Sequence, residues 1–131
     1  MADPTRQRLT ELRNGLLKLH KTLLDSERAV YERDVARIGS PGHYLELVLN
    51  DPWFAWLHAL SKFIVLVDET LDFDDPPTPA DADRLIAQAR DLVTPAENGP
   101  SFARSYFEAI QRDPAVVLAH RDMMRVFAAI P

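Results

Sequence analysis

Apolar residues recur along this chain with the three- and four-residue spacing of amphipathic helices, and no stretch alternates as a strand would. The pattern predicts a long first helix from about residue 5 to about residue 38, ended by Gly39. Further helices are predicted at about 41–49, 52–71, 79–93, 101–112 and 114–129. One side of the first helix carries aliphatic side chains expected to face the core: Leu9, Leu12, Leu16, Leu19, Leu23 and Val30.

The prolines fit this helical pattern, because six of the ten follow a residue with a good capping side chain. A Ser, Thr or Asp oxygen accepts a free first-turn N–H, and proline at the next position has no N–H to leave unsatisfied. Each pair therefore predicts a helix start, except that Gly99-Pro100 soon ends the turn after Thr94, so the next helix is expected from Ser101. The pairs are Asp3-Pro4, Ser40-Pro41, Asp51-Pro52, Thr78-Pro79, Thr94-Pro95 and Asp113-Pro114.

The predicted fold is all-α: a single-domain bundle over residues 1–131, with five to six helices and one long N-terminal helix. A chain of 131 residues can bury one core without disulfides or metals. The helix predicted at 52–71 is apolar nearly all round, which is typical of a central position. Gly15 inside the first helix costs about 1 kcal/mol relative to alanine, and a close helix crossing would explain it.

Charge and composition narrow the class of protein. The net charge is −5, and residues 68–131 hold twelve acidic against six basic residues, so nucleic-acid binding is not expected. The chain has no cysteine, its N-terminus lacks a signal-peptide pattern, and its longest aliphatic run, 63–67, is too short to cross a bilayer. We therefore expect a soluble cytoplasmic protein without a membrane partner. Abundant Arg, Ala and Asp suggest a bacterial source.

Three of the four histidines lie on apolar sides of three different predicted helices. If these helices pack together, neutral imidazoles could hold haem or a transition metal inside the bundle. The chain has no Glu-x-x-His pair for a di-iron site and no Cys-x-x-Cys-His for attached haem, and the commoner alternative is partly buried histidines without a cofactor. The candidate ligands are His20, His58, His120, Asp68, Met123 and Met124.

A polar line runs along the first helix through Arg13, His20 and Glu27. Arg and Glu are rarely buried unpaired, so this line predicts either a partner groove or an internal ion-pair network. Arg13 and His20 also form a spacing similar to the R-x(4–6)-H ribonuclease signature of the HEPN helical bundles. The resemblance implies RNA cleavage by these two residues at a dimer cleft. It covers eight residues on the first helix, whereas the family carries the motif on a late helix, and the acidic C-terminal half disfavours RNA.

Two other clusters bear on function. Negative charge crowds the end of the helix predicted at 52–71, where it opposes the helix macrodipole, so arginines such as Arg84, Arg90, Arg121 or Arg125, a cation or a basic partner should compensate. The crowded carboxylates are Asp68, Glu69, Asp72, Asp74 and Asp75.

An aromatic group is formed by Tyr44, Trp53 and Trp56. We expect it to be a lid on the core, and the alternative is a surface patch that binds a partner.

The sequence favours a non-catalytic interaction or assembly module, acting on a protein partner or as a homodimer, with no catalytic residues assigned. Its interaction candidates are Tyr44, Trp53, Trp56, Arg13 and Glu27. The alternative is a bundle that binds haem or metal through its interior histidines, and the HEPN-like ribonuclease ranks third. No phosphate-binding loop, serine-nucleophile elbow or zinc-protease motif is present in the sequence.

Overall fold

A computed structural model describes residues 3–130 of the chain, and within them the fold is all-helical, which confirms the predicted class. Six α-helices form one bundle around a common core, and the first is the longest. The predicted domain limits, residues 1 and 131, fall outside the described residues. The helices are α1 (Pro4–Asp34), α2 (Pro41–Asn50), a 3₁₀ helix (Pro52–Leu57), α3 (His58–Asp72), α4 (Pro79–Leu92), α5 (Ser101–Arg112) and α6 (Pro114–Ala129).

Five of the six predicted capping pairs begin a helix. The side chain of Asp3, for example, accepts a hydrogen bond of 3.0 Å from the backbone N–H of Thr5, and Thr78 forms a reciprocal capping box with Asp81. The exception is Thr94, whose hydroxyl donates to the Arg90 carbonyl at 2.6 Å instead of capping a new helix. Helix α5 begins at Ser101, as predicted.

Helix α1 ends earlier than the apolar pattern predicts, at Asp34 and not near residue 38. The backbone N–H groups of Val35 and Ala36 both donate to the Tyr31 carbonyl, at 2.8 and 3.2 Å, and this shared acceptor closes the last turn. Ile38 is nevertheless buried, because its side chain packs into the core cluster from the segment that follows the helix. Ile38 extended the predicted helix because it is apolar, but it is apolar because it is buried and not because it is helical.

The single helix predicted at 52–71 is two elements, the 3₁₀ helix and α3. The 3₁₀ helix sends its aromatic rings in different directions: Trp53 packs against Tyr31 at 5.7 Å between ring centroids, whereas Trp56 packs against Phe102 at 5.3 Å. The tighter 3₁₀ turn rotates successive side chains differently from an α-helix, which allows both contacts. A helical wheel drawn through the whole segment therefore misplaces these rings.

The central element is α1, and not the helix predicted to be apolar all round. Helix α1 packs against α3, α4, α6 and the 3₁₀ helix, and its contact with α6 is the most extensive in residues 3–130. Its leucine row is buried as predicted, whereas Val65 and Leu66 of α3 are exposed. Gly15 lies where α1 meets α6: a Cβ there would come within 3.2 Å of the side chains of Met123 and Val126. The expected close helix crossing is therefore present.

Candidate functional site

His58 and His120 each make a hydrogen bond inside the bundle. Nε2 of His58 lies 2.9 Å from the Val48 carbonyl, and as an N–H donor it links α3 to α2. The Tyr106 hydroxyl lies 2.6 Å from Nδ1 of His120 and donates to it. Burial lowers the pKa of His120 and raises the pKa of Tyr106. The imidazole is therefore neutral and accepts the hydrogen bond that the protonated phenol donates.

His20 lies half-buried on α1, and burial lowers the pKa of its imidazole below the ordinary value of 6.5. It is separated by two helical turns from Arg13, a rise of about 10.5 Å at 1.5 Å per residue. Nη1 of Arg13 lies 3.3 Å from Oδ1 of Asp68 on α3. In this structure, the arginine of the HEPN-like pair is therefore engaged with a carboxylate.

The structure does not assemble the predicted ligands into one metal centre. Within residues 3–130, no group of three or more histidine, aspartate or glutamate side chains is placed to hold a metal ion. His58 and His120 bond to different neighbours, and Asp68 pairs with Arg13. Met123 is buried against the α1–α6 crossing, whereas Met124 is exposed. Haem held by fewer protein ligands stays a prediction from the sequence.

Two of the three residues on the polar line of α1, Arg13 and Glu27, form ion pairs with other helices of the bundle. Glu27 is buried, with a side chain only 7% exposed, and its Oε1 accepts a hydrogen bond of 2.6 Å from Nη2 of Arg112. The same Nη2 lies 3.4 Å from the Ser26 hydroxyl. Together with the Arg13–Asp68 pair, these contacts tie α1 to α5 and α3 and give both polar candidates a structural role.

The aromatic candidates form a lid over the core. Tyr44, Trp53 and Trp56 are all partly buried, and the Tyr44 ring packs edge-on against Phe54 at 6.1 Å. The guanidinium of Arg28 lies 4.5 Å from the centre of the Tyr44 ring, a cation–π contact. The Tyr44 ring therefore packs α2 onto the bundle, whereas the two tryptophans pack the 3₁₀ helix against α1 and α5.

Two arginines of α1 lie at the end of α3, and they are not the ones suggested from the sequence as partners of its carboxylates. Of those five carboxylates, Asp68 alone forms an ion pair within residues 3–130. Nη1 of Arg6 donates a hydrogen bond of 2.6 Å to the Leu71 carbonyl, and Arg13 pairs with Asp68. Both arginines come from α1, where the helix crosses the end of α3. The predicted arginines act elsewhere, as with Arg90, which donates to the Phe127 carbonyl on α6. A separation of more than fifty residues hides such partners from local sequence patterns.

Two surfaces stand out once the internal contacts are accounted for. The first is the outer side of α2, the only α-helix in residues 3–130 without a buried residue. It exposes Leu45 and Leu49, one turn apart, by 59% and 58%. The second is a groove between α1 and α6 with a volume of about 760 Å³. The sequence does not indicate Leu49 or the groove as functional candidates, because the spacing of apolar residues does not show which side of a helix packs against the core.

No family model, no curated protein and no solved structure matches this chain. Within residues 3–130, no helix combines the length and the apolar character needed to cross a membrane.

Proposed function

We propose that this protein is a non-catalytic interaction module that binds a protein partner through the exposed side of α2, and that the partner is a second copy of the chain. The observation that carries the proposal is the leucine pair on a helix without any buried residue. A surface helix ordinarily turns its large aliphatic side chains towards the core. Here Leu45 and Leu49 face outwards. The side of α2 that packs against the core carries Tyr44, Leu47 and Val48 instead.

Charge supports a second copy as the partner. The chain carries a net charge of −5, so most surface regions would repel an identical molecule. Helix α2 carries Glu46 as its only formally charged side chain at neutral pH. A contact between two α2 helices therefore covers the exposed leucine pair and brings few like charges together.

The geometry of the pair also suits a symmetric contact. When two α2 helices pack antiparallel about a two-fold axis midway between Leu45 and Leu49, Leu45 of each copy lies opposite Leu49 of the other. Such an isologous contact is self-complementary, as closed homodimers require. The proposal assigns no reaction to the protein, and we assume a cytoplasmic location, in keeping with the absence of cysteine.

Sedimentation equilibrium over micromolar to millimolar concentrations tests the proposal. We expect the wild type to form dimers and the double variant Leu45→Glu/Leu49→Glu to be monomeric with an unchanged circular dichroism spectrum. The matched control is Leu66→Glu/Leu118→Glu, which charges two exposed leucines on other helices and should leave the dimer intact. A wild type that is monomeric throughout, or a control that dissociates as the α2 variant does, would contradict the proposal.

A further inference from the structure

The groove between α1 and α6 is an apolar cavity in the side of the bundle, separate from the α2 surface. The two helices touch at Gly15 and leave a volume of about 760 Å³ beside this crossing. That volume lies within the roughly 300–1,000 Å³ typical of small-molecule sites. Its apolar lining comes from both helices: Gly15, Leu19, Ala119, Met123, Val126 and Ala129.

The rim of the groove is polar and carries more cations than carboxylates, with Lys18, Lys21 and Arg125 against Glu11 and Asp122. Nζ of Lys21 lies 3.0 Å from Asp25, and Arg125 lies 4.0 Å from Asp122, so two of the cations already have carboxylate neighbours.

Lys18 forms no ion pair with any residue in the range 3–130. Its long aliphatic stem can lie along the groove while the ammonium group stays in water at the edge. Glu11, the other rim residue without an ion pair in residues 3–130, lies two helical turns from Lys18, a rise of about 10.5 Å. The end of the groove at Lys18 therefore favours an anion over a cation.

We propose that this groove binds a small amphipathic anion, with its apolar body on the lining and a carboxylate or sulfonate head at Lys18. The lining supplies affinity by removing apolar surface from water, and Lys18 supplies orientation and selectivity for the charged end. Binding is reversible and involves no covalent step. It does not depend on dimer formation through α2.

Sodium decanoate is the probe, used below its micelle-forming concentration and followed by amide chemical shifts of isotope-labelled protein. We expect saturable shifts at Gly15 and Ala119, on the two opposite sides of the groove. Decyltrimethylammonium has the same chain length and the opposite charge, and it should bind more weakly. Equal or tighter binding of the cation, an absence of saturable shifts, or shifts confined to α2 would overturn the proposal.

Two pairs of variants locate the site. Ala119→Leu fills the groove and should abolish saturable binding, whereas Ala115→Leu places the same side chain on an exposed part of α6 that does not line the groove. Lys18→Glu should weaken decanoate at least about threefold, the scale of one exposed ion pair. Lys62→Glu makes the same charge change on α3 and should have no more than a slight effect.

The Lys18→Glu variant keeps the test valid if the filled groove destabilises the bundle, because it alters an exposed side chain. Thermal unfolding of all four variants separates loss of fold from loss of binding. If a folded Ala119→Leu protein binds decanoate as the wild type does, or if the two lysine variants lose the same affinity, the groove is not the site.

Discussion

Arg112, at the end of α5, donates a 2.6 Å hydrogen bond to Glu27, a carboxylate buried in the last third of α1. The two residues are 85 positions apart in the chain, so the contact exists only when the bundle is closed. It is the one ion pair in residues 3–130 that has a nearly buried acid. Its arginine is partly exposed, which moderates the cost of burying the pair.

We expect Arg112→Met to lower the free energy of unfolding by about 1–3 kcal/mol, because Glu27 is then left buried without its partner. Urea denaturation measures the loss. The double variant Glu27→Met/Arg112→Met should recover most of it, since no uncompensated charge stays inside. Arg104→Met, on an exposed part of α5, is the control. Equal losses for Arg104→Met and Arg112→Met would show that the ion pair contributes nothing.

The partly buried histidines His20 and His120 predict a dependence of stability on pH. Burial lowers the pKa of His20 and His120 below 6.5, so the unfolded chain binds more protons than the folded chain between the lowered values and 6.5. Stability should therefore rise with pH through this window and level off above it. The double variant His20→Gln/His120→Gln should show a flatter dependence between pH 5 and pH 7 than the wild type, measured by thermal unfolding. A variant at the exposed His43, His43→Gln, should keep the wild-type slope. An unchanged slope in the double variant would refute the assignment.

The close crossing of α1 and α6 predicts intolerance of a large side chain at Gly15. A Cβ alone would lie 3.2 Å from the side chains of Met123 and Val126, so Gly15→Leu should destabilise the protein by about 1–3 kcal/mol through overpacking. Gly42 offers the comparison, because no atom lies within 4 Å of a Cβ built there. Gly42→Leu should leave the midpoint of thermal unfolding close to that of the wild type. If the two substitutions cost the same, the crossing is not tight.

We expect untagged protein purified without chelator to show no haem absorption band and no stoichiometric metal. The physical reason is the distribution of the donors, since His58 and His120 bond to separate internal partners in the structure. Visible absorption and elemental analysis provide the measurement. A haem band lost in His58→Ala or His120→Ala would instead restore the haem-binding alternative, and His43→Ala would serve as the control.

Local signals predicted most of the fold. Capping pairs such as Asp113-Pro114 mark helix starts through hydrogen bonds within two or three residues, which the sequence displays directly. The spacing of apolar residues likewise indicates the leucine row of α1, because residues three and four apart share one side of a helix. The prediction was wrong where tertiary contacts decide, as at Ile38, which is buried without being helical, and in the segment beginning at Pro52, where packing of the aromatic rings favours a 3₁₀ turn.

The candidate surfaces were harder to predict, because they depend on which helices become neighbours. Nothing local indicates that Gly15 meets Met123, and so nothing local indicates a cavity beside them. The sequence marks Tyr44 and the tryptophans as an aromatic group, but it does not show that each ring packs against a different partner, Phe54, Tyr31 and Phe102. Leu49, the last leucine of α2, is recognised as exposed only once the structure shows which side of that helix is packed against the core.

The contact between α1 and α6 also bears on the order in which the molecule can be made. A ribosome releases α1 some eighty residues before α6, yet α6 makes the most extensive contact with α1 of any helix in residues 3–130. Until Pro114–Ala129 has emerged, one side of α1 around Gly15 has no covering. While the chain is being synthesised, this side of the first helix therefore stays accessible to other proteins, including chaperones. The bundle closes only after α6 has left the ribosome.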